Sequence, residues 1–262
     1  MKRRIVIKVG SNVLTRPDGK LDVTRMSALV DQIAWMRQQS IEVILVSSGA
    51  VACGRRELTV DHSLDSVEQR QLFSAVGQGK LIGLYYDLFR EFNIHVGQVL
   101  TMKENFQPGE QYRNQQACMR VMLENDVLPI VNENDTVSVT ELMFTDNDEL
   151  SGLIAQMMEA DTLILLSNID GIYNGHPDNP ESQIIPTVEP GGDLSRYIKE
   201  EKSAFGRGGM HSKYTTAQKV QQAGIRVIIA NGERENILVD LIGNKNNTPH
   251  TEFIPRQNNK YL

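Results

Sequence analysis

The chain has 262 residues, 40% of them hydrophobic and 23% charged, with 27 Lys and Arg against 33 Asp and Glu for a net charge of −6. That apolar content suffices for a core and excludes a disordered chain, while the acidic balance argues against a protein that coats nucleic acid. No apolar run approaches the ~18 residues of a membrane span, and Lys8 breaks the apolar stretch after the basic start too early for a signal peptide, so a cytoplasmic protein without membrane contact is expected.

Residues 4–9 (RIVIKV) read as a β-strand that stops at Gly10. Met26, Leu29, Val30, Ile33 and Met36 then recur at helical spacing, with Asp22 or Thr24 as the cap. Residues 42–46 (EVILV) form a second strand and run into Ser47-Ser48-Gly49-Ala50. A long helix is expected over about 67–92, a strand over 95–100, a helix over 111–124 and a strand over 127–131. Residues 137–144 have the composition of a β-hairpin, 147–158 a helical pattern, and 162–166 (TLILL) that of a buried strand. An irregular excursion rich in Gly, Pro and Asn spans 171–185. A helix over 210–223 closes at Gly224, and 226–230 (RVIIA) is the last clear strand, leaving 244–262 as a polar, peripheral tail. Cys53 and Cys118 form no C-x-x-C pair and read as buried free thiols of a reducing compartment.

Strands alternating with helices, and strands that are apolar throughout, imply an α/β protein with a mainly parallel sheet covered on both faces. Such sheets take ligands beyond the carboxyl ends of their strands. Polar, Gly-rich segments indeed follow the strands at Gly10-Ser11-Asn12, 47–50, 132–135 and 167–170. No repeat or linker-like shift in composition divides the chain, so one domain over 1–262 is expected.

Several common sites are missing from the sequence. It has no G-x-x-x-x-G-K-[ST] loop, no G-x-G-x-x-G fingerprint, no H-E-x-x-H and no G-x-S-x-G elbow. The five histidines are scattered without metal-ligand spacing. What remains are less usual phosphate-binding features. Lys8 lies inside an apolar strand, where burial calls for an anionic partner, although an edge strand with the ammonium in solvent would also suit it. Gly206-Arg207-Gly208-Gly209 leads into a helix whose first turn holds Lys213. A cation is unfavourable at that end unless a phosphate answers it, and a flexible glycine turn with a solvated lysine is the plainer alternative. The Asx-rich runs 132–135 and 146–148 can be turns and N-caps, or can bind an amino group or hold lysines in place. Their spacing does not decide.

Taken in order, KVGSNVLT (8–15), SSGAVACG (47–54), QLFSAVGQGKLI (71–82), HVGQVL (95–100), LPIVNENDTVS (128–138), DNDELSGLIA (146–155), LSNIDGIY (166–173) and GRGGMHSK (206–213) resemble the amino acid kinase family over essentially residues 3–240. The resemblance implies a three-layer α/β/α sandwich with an open, mainly parallel sheet. It also implies an acceptor-binding half over about 1–160 and a nucleotide-binding half over about 161–245. The implied reaction is phosphorylation of the side-chain carboxylate of L-glutamate by ATP with Mg²⁺, the first step of proline biosynthesis, with the metal carried by the ATP phosphates rather than by protein ligands. Carried over by position, Lys8 and Lys213 bridge the phosphates and Asp148 orients both. Ser48, Asp135 and Asn147 bind the acceptor. Lys8, Ser167 and Asn168, with Arg207, Gly208, Gly209, Met210, His211, Ser212 and Lys213, hold the nucleotide. Two positions depart from the usual pattern: Asn168 stands where many members have Asp, and Arg207 where many have Thr. The resemblance further implies a homo-oligomer associating through about 60–120, feedback inhibition by proline and a downstream glutamyl phosphate reductase. It also implies a form without the C-terminal PUA domain many such kinases carry. Acetylglutamate, carbamate or uridylate kinases of the same family, or a catalytically inactive amino-acid-sensing module on the same fold, are the alternatives.

Overall fold

The computed structural model describes residues 2–60, 62–138, 144, 146–198, 209–243, 245 and 247–256. Its strands are β1 (Arg4–Val9), β2 (Glu42–Ser47), β3 (Val96–Thr101), β4 (Leu128–Glu133), β5 (Thr162–Ser167), β6 (Thr187–Val188), β7 (Arg226–Asn231) and β8 (His250–Phe253). They form one eight-stranded sheet in the order β3-β4-β2-β1-β5-β7-β8-β6. Every pairing is parallel except β7 with β8. The helices are α1 (Ser11–Leu14), α2 (Val23–Gln38), α3 (Ala50–Glu57), α4 (Ser66–Arg90), α5 (Glu110–Glu124), α6 (Asn147–Met157), α7 (Met210–Gln222) and α8 (Ile237–Ile242). The expected three-layer sandwich is the observed architecture.

Because side chains alternate along a strand, each central strand serves two cores. On β1, Ile5, Ile7 and Val9 pack with Met26, Val30 and Ile33 of α2, Phe89 of α4 and Leu238 of α8. Val6 faces the other way, among Ile154 of α6, Val220 of α7 and Met119 of α5. Lys8 has the parity of Val6 and therefore emerges on the α6–α7 side. The helices start where the sequence supplies caps: Asp22 accepts from the Arg25 N–H at 3.1 Å, and Asp65 and Glu68 form a reciprocal capping box on α4.

Three expectations need correction. The tail is not wholly peripheral: β8 closes onto β7 with Thr251 and Phe253 fully buried. Its alternating HTEF pattern is too short to stand out from a polar stretch. Between the second strand and the helix expected from about 67 lies a further helix, α3, which the SSGA segment enters through Gly49 (φ +113). Of the two thiols, Cys53 is buried and Cys118 is exposed on α5. Most of the 137–144 hairpin lies outside the described residues, and the 171–185 excursion is tied by a bridge between Tyr173 and Ile184. Among the described residues no helix is long and apolar enough to cross a membrane.

Candidate active site

A cavity of about 1440 Å³ opens at the carboxyl ends of the strands, where a parallel sheet leaves its loops free to meet a ligand. Lys8 reaches it from β1, Ser48 from the turn after β2, Asn132 and Glu133 from β4, Ser167 and Asn168 from the end of β5, and Lys213 from α7.

At its centre Lys8 Nζ lies 2.7 Å from Asp148 Oδ1, and Lys213 Nζ donates to Asp148 Oδ2 at 2.9 Å. Asp148 has no exposed side-chain surface, and both lysines are buried. Local structure brings the three together. Asp146 caps α6 by accepting from the N–H groups of Asp148 and Glu149, which sets Asp148 in the first turn of that helix. α6 and α7 approach closely at Gly152, where a Cβ would lie 2.8 Å from Thr216 Cγ2. Gly10 leaves room for the ammonium, since a Cβ there would lie 3.1 Å from Lys8 Nζ. Burial pushes the Asp148 carboxyl up, yet the two ammonium groups outweigh it and hold it below the usual carboxylate range. Burial lowers Lys8 from the ordinary lysine value against the pull of Asp148, and Lys213 adds to the lowering. Burial and the neighbouring Asp148 push Asp146 up. One buried carboxylate thus fixes two cations at a cavity wall, with the Asp146 carboxyl beside them.

A second cluster lies beside the first. Asn147 Nδ2 donates to Ser48 Oγ at 2.8 Å and to Asn132 Oδ1 at 2.9 Å. Asn132 Nδ2 in turn donates to Gln78 Oε1 at 2.9 Å. Asp135 pairs with Arg70 of α4, whose Nε donates to its Oδ1 at 2.6 Å. Ser48, Asn147 and Asp135, expected together, do share this end of the cavity. Arg70 and Gln78 were not among the expected site residues, since they look like ordinary polar positions of a long amphipathic helix. For Arg70 alone a hint was available, a charge at helical spacing between Val67 and Phe73.

At the other end, Ser167, Asn168, Gly209 and Met210 line the cavity, along with Tyr173, Arg196 and Tyr197. Gly209 precedes α7 as its N-cap residue and, being a glycine, offers the first N–H groups no side-chain cap of its own. His211 is exposed and, like Ser212, is not among the lining residues. Arg207 and Gly208 lie outside the described residues. Asp170 fastens this edge, accepting from Arg234 Nε at 2.6 Å, from Arg234 Nη2 at 2.7 Å and from Asn231 at 3.0 Å.

Residues 3–231 match the pattern of the Amino acid kinase family. A glutamate 5-kinase of Bacteroides thetaiotaomicron is 66% identical over 252 residues, which cover 96% of this chain and 70% of that protein. The chain belongs to the amino acid kinase family, among its glutamate 5-kinases. A glutamate 5-kinase of Symbiobacterium thermophilum is 41% identical, with 92% of each chain covered. Two solved structures share the fold at low identity. A carbamate kinase from Giardia lamblia bound to AMP-PNP superposes with a TM-score of 0.71 at 17% identity, covering 97% of this chain and 99% of that one. A UMP kinase from Ureaplasma parvum gives 0.65 at 18%, with the same coverage. Family membership makes the chain a phosphotransferase, and the two lysines on Asp148 are the groups to test for that chemistry.

Proposed function

We propose that this crevice transfers the γ-phosphoryl group of ATP to the side-chain carboxylate of L-glutamate, giving ADP and L-glutamyl 5-phosphate, the opening step of proline biosynthesis in the cytoplasm. The observation that carries the reading is the Lys8–Asp148–Lys213 bridge, set between a Ser48–Asn147–Asp135 cluster on one side and the Gly209 start of α7 on the other. In this reading the acceptor belongs to about 1–160 and the nucleotide to about 161–245.

Phosphoryl transfer proceeds through a loose, in-line transition state, so the protein mainly positions groups and offsets charge. The glutamate side-chain carboxylate, with a reference pKa of about 4.3, is already ionised at pH 7. No general base is needed. The obstacle is an anion approaching a polyanion, and Lys8 and Lys213 offset it from fixed positions that need no rearrangement during reaction. Ser48 and Asn147 would orient the acceptor, and Asp135 would take its α-ammonium group. Ser167, Asn168 and the glycine loop that includes Arg207 and Gly208 and ends at Gly209 would hold the nucleotide, with Met210, His211 and Ser212 opening α7 beneath it.

Mg²⁺ would enter as a companion of the ATP phosphates. Asp146 brings a hard carboxylate oxygen, of the kind such an ion takes, to the cavity wall near Lys8. When bound, the ion supplies further neutralisation of the phosphate oxygens.

The test is ADP release together with trapping of the acyl phosphate by hydroxylamine. Glutamate should give the hydroxamate. Turnover only with N-acetylglutamate, carbamate or UMP would assign a different acceptor within the family. Glutamate binding without ATP turnover would assign an amino-acid-sensing module.

We further propose that a second copy packs on α4. Leu72, Val76 and Tyr86 are exposed along it, and between them a Cβ at Gly79 or Gly83 would meet nothing within 4 Å, which gives a partner helix room to approach. Light scattering should give more than one chain per particle, and less after Val76→Lys.

A further inference from the structure

Ser47 is the last residue of β2, and its place in the alternation puts it with Val43 and Leu45 on the face packed against α4. It is fully buried there, and a hydroxyl set into an apolar layer needs a hydrogen-bonding partner. Tyr85 of α4 supplies one, its hydroxyl lying 2.9 Å from Ser47 Oγ. Gln78, Leu81, Tyr85 and Phe89 run along the buried side of that helix, at the spacing of a single helix face.

The direction of the bonds matters. Ser47 Oγ donates to the carbonyl oxygen of Ser48 at 3.1 Å. A serine has one proton to give, so Tyr85 is the donor in the link between the two hydroxyls. Burial pushes the Tyr85 hydroxyl up to about 12, which keeps that proton in place at neutral pH. The chain from Tyr85 through Ser47 thus ends on the peptide group between Ser48 and Gly49. Gly49 sits at φ +113, and a glycine backbone has wide freedom, so the turn needs such a tie to keep one geometry. The other polar atoms of Ser48 are also held: its N–H donates to the Val9 carbonyl at 3.0 Å, and its Oγ accepts from Asn147 at 2.8 Å. Ser48 lines the cavity, while Ser47 and Tyr85 stand behind the wall.

We infer that Tyr85 is a positioning residue for the acceptor, fixing the Ser48–Gly49 turn through Ser47 so that Ser48 meets the glutamate in one orientation. The inference rests on the acceptor reading proposed above. From behind the wall Tyr85 would touch no substrate. Its loss should weaken acceptor binding and leave the transfer step and the nucleotide alone.

Tyr85→Phe removes the hydroxyl and keeps the ring stacked on Phe89, and Ser47→Ala removes the next link. Each should raise the glutamate KM about five- to tenfold, the effect of one buried hydrogen bond lost. In both, kcat and the ATP KM should stay within about threefold of wild type. Adding Tyr85→Phe to Ser47→Ala should raise the glutamate KM little further, because both break the same chain. A merely structural tyrosine would lower the melting temperature and leave the glutamate KM alone, or shift both KM values together. An unchanged glutamate KM, equal rises for glutamate and ATP, a kcat loss as large as the rise in KM, or losses that multiply in the double variant would each overturn the inference. A wild-type enzyme that forms no hydroxamate from glutamate would instead mean that the acceptor reading has failed. Where it does form one and both variants keep the wild-type KM, only the role of Tyr85 has.

Discussion

Lys8 and Lys213 stand on the two oxygens of a single carboxylate, 2.7 and 2.9 Å away, that solvent does not reach. They come from a central strand and from a helix of the layer that Lys8 faces, so the fold itself, rather than a local motif, makes the pair. Removing Asp148 would leave two buried cations facing each other. Asp148→Asn keeps the shape and removes the charge. It should cost about 3–5 kcal/mol of stability, as when one partner of a buried ion pair is deleted, and about 100-fold or more in kcat. Urea denaturation and steady-state kinetics check both, and a wild-type kcat would remove Asp148 from the mechanism.

The same bridge makes stability rise with pH and activity fall at the alkaline end. The Asp148 carboxyl is held low in the folded chain, so its contribution to stability is complete above the ordinary carboxylate value and disappears as pH falls through the folded one. The stability gap between wild type and Asp148→Asn should therefore close in acid. Lys8 is also lowered, by burial. Its folded form releases a proton that the unfolded chain keeps, so its contribution to stability rises as pH climbs from the folded value to the ordinary lysine value. Activity should do the reverse over that window, because the neutral amine no longer offsets phosphate charge. In Asp148→Asn the alkaline fall in kcat/KM should move to lower pH, and an unmoved limb would assign it to another group.

Lys213→Ala should act on the transition state. Losing one fixed donor to developing charge costs about 2.7–4 kcal/mol, or 10²–10³ in kcat. Single-turnover measurements locate the defect. An unaltered transfer step would restrict Lys213 to binding.

A test of the scaffold lies at the crossing of α3 and α4. A Cβ on Gly77 would lie 1.9 Å from the Ala50 carbonyl oxygen and 2.4 Å from Gly54 N. Both are backbone atoms that cannot step aside. Gly77→Ala should lower the unfolding free energy by at least the ~1–3 kcal/mol of an overpacked core, and it should raise the glutamate KM because α3 carries the Ser48–Gly49–Ala50 turn. An unchanged melting temperature would show that the helices part easily.

Much of the layered fold was readable because a strand such as TLILL and a helix such as the one through Met26 and Ile33 declare their period locally. The short final strand did not, since its pattern acquires meaning only beside β7. At the site, Lys8 was conspicuous as a charge in an apolar run, and Lys213 as a cation at the wrong end of a helix. Their common partner could not be read from spacing. Asp148 looks like an ordinary first-turn acid on α6, and only the packing of α6 on β1 and its approach to α7 at Gly152 give it both lysines. Arg70 was hidden for a similar reason. Its partners lie on another element, and nothing in an amphipathic helix marks which polar residue turns inward.

The alternation along β1 has a consequence for how this gene tolerates change. Lys8 points toward α6 and α7 because it shares parity with Val6, while Ile7 and Val9 point toward α2 and α8. Inserting or deleting one codon between positions 5 and 8 would leave the lysine in the strand but turn its ammonium into the hydrocarbon layer of Met26 and Ile33, on the far side of the sheet from Asp148. Single-codon indels should therefore be lethal to activity in this strand. The Gly- and Pro-rich excursion between Gly171 and Ile185 should accept them more readily.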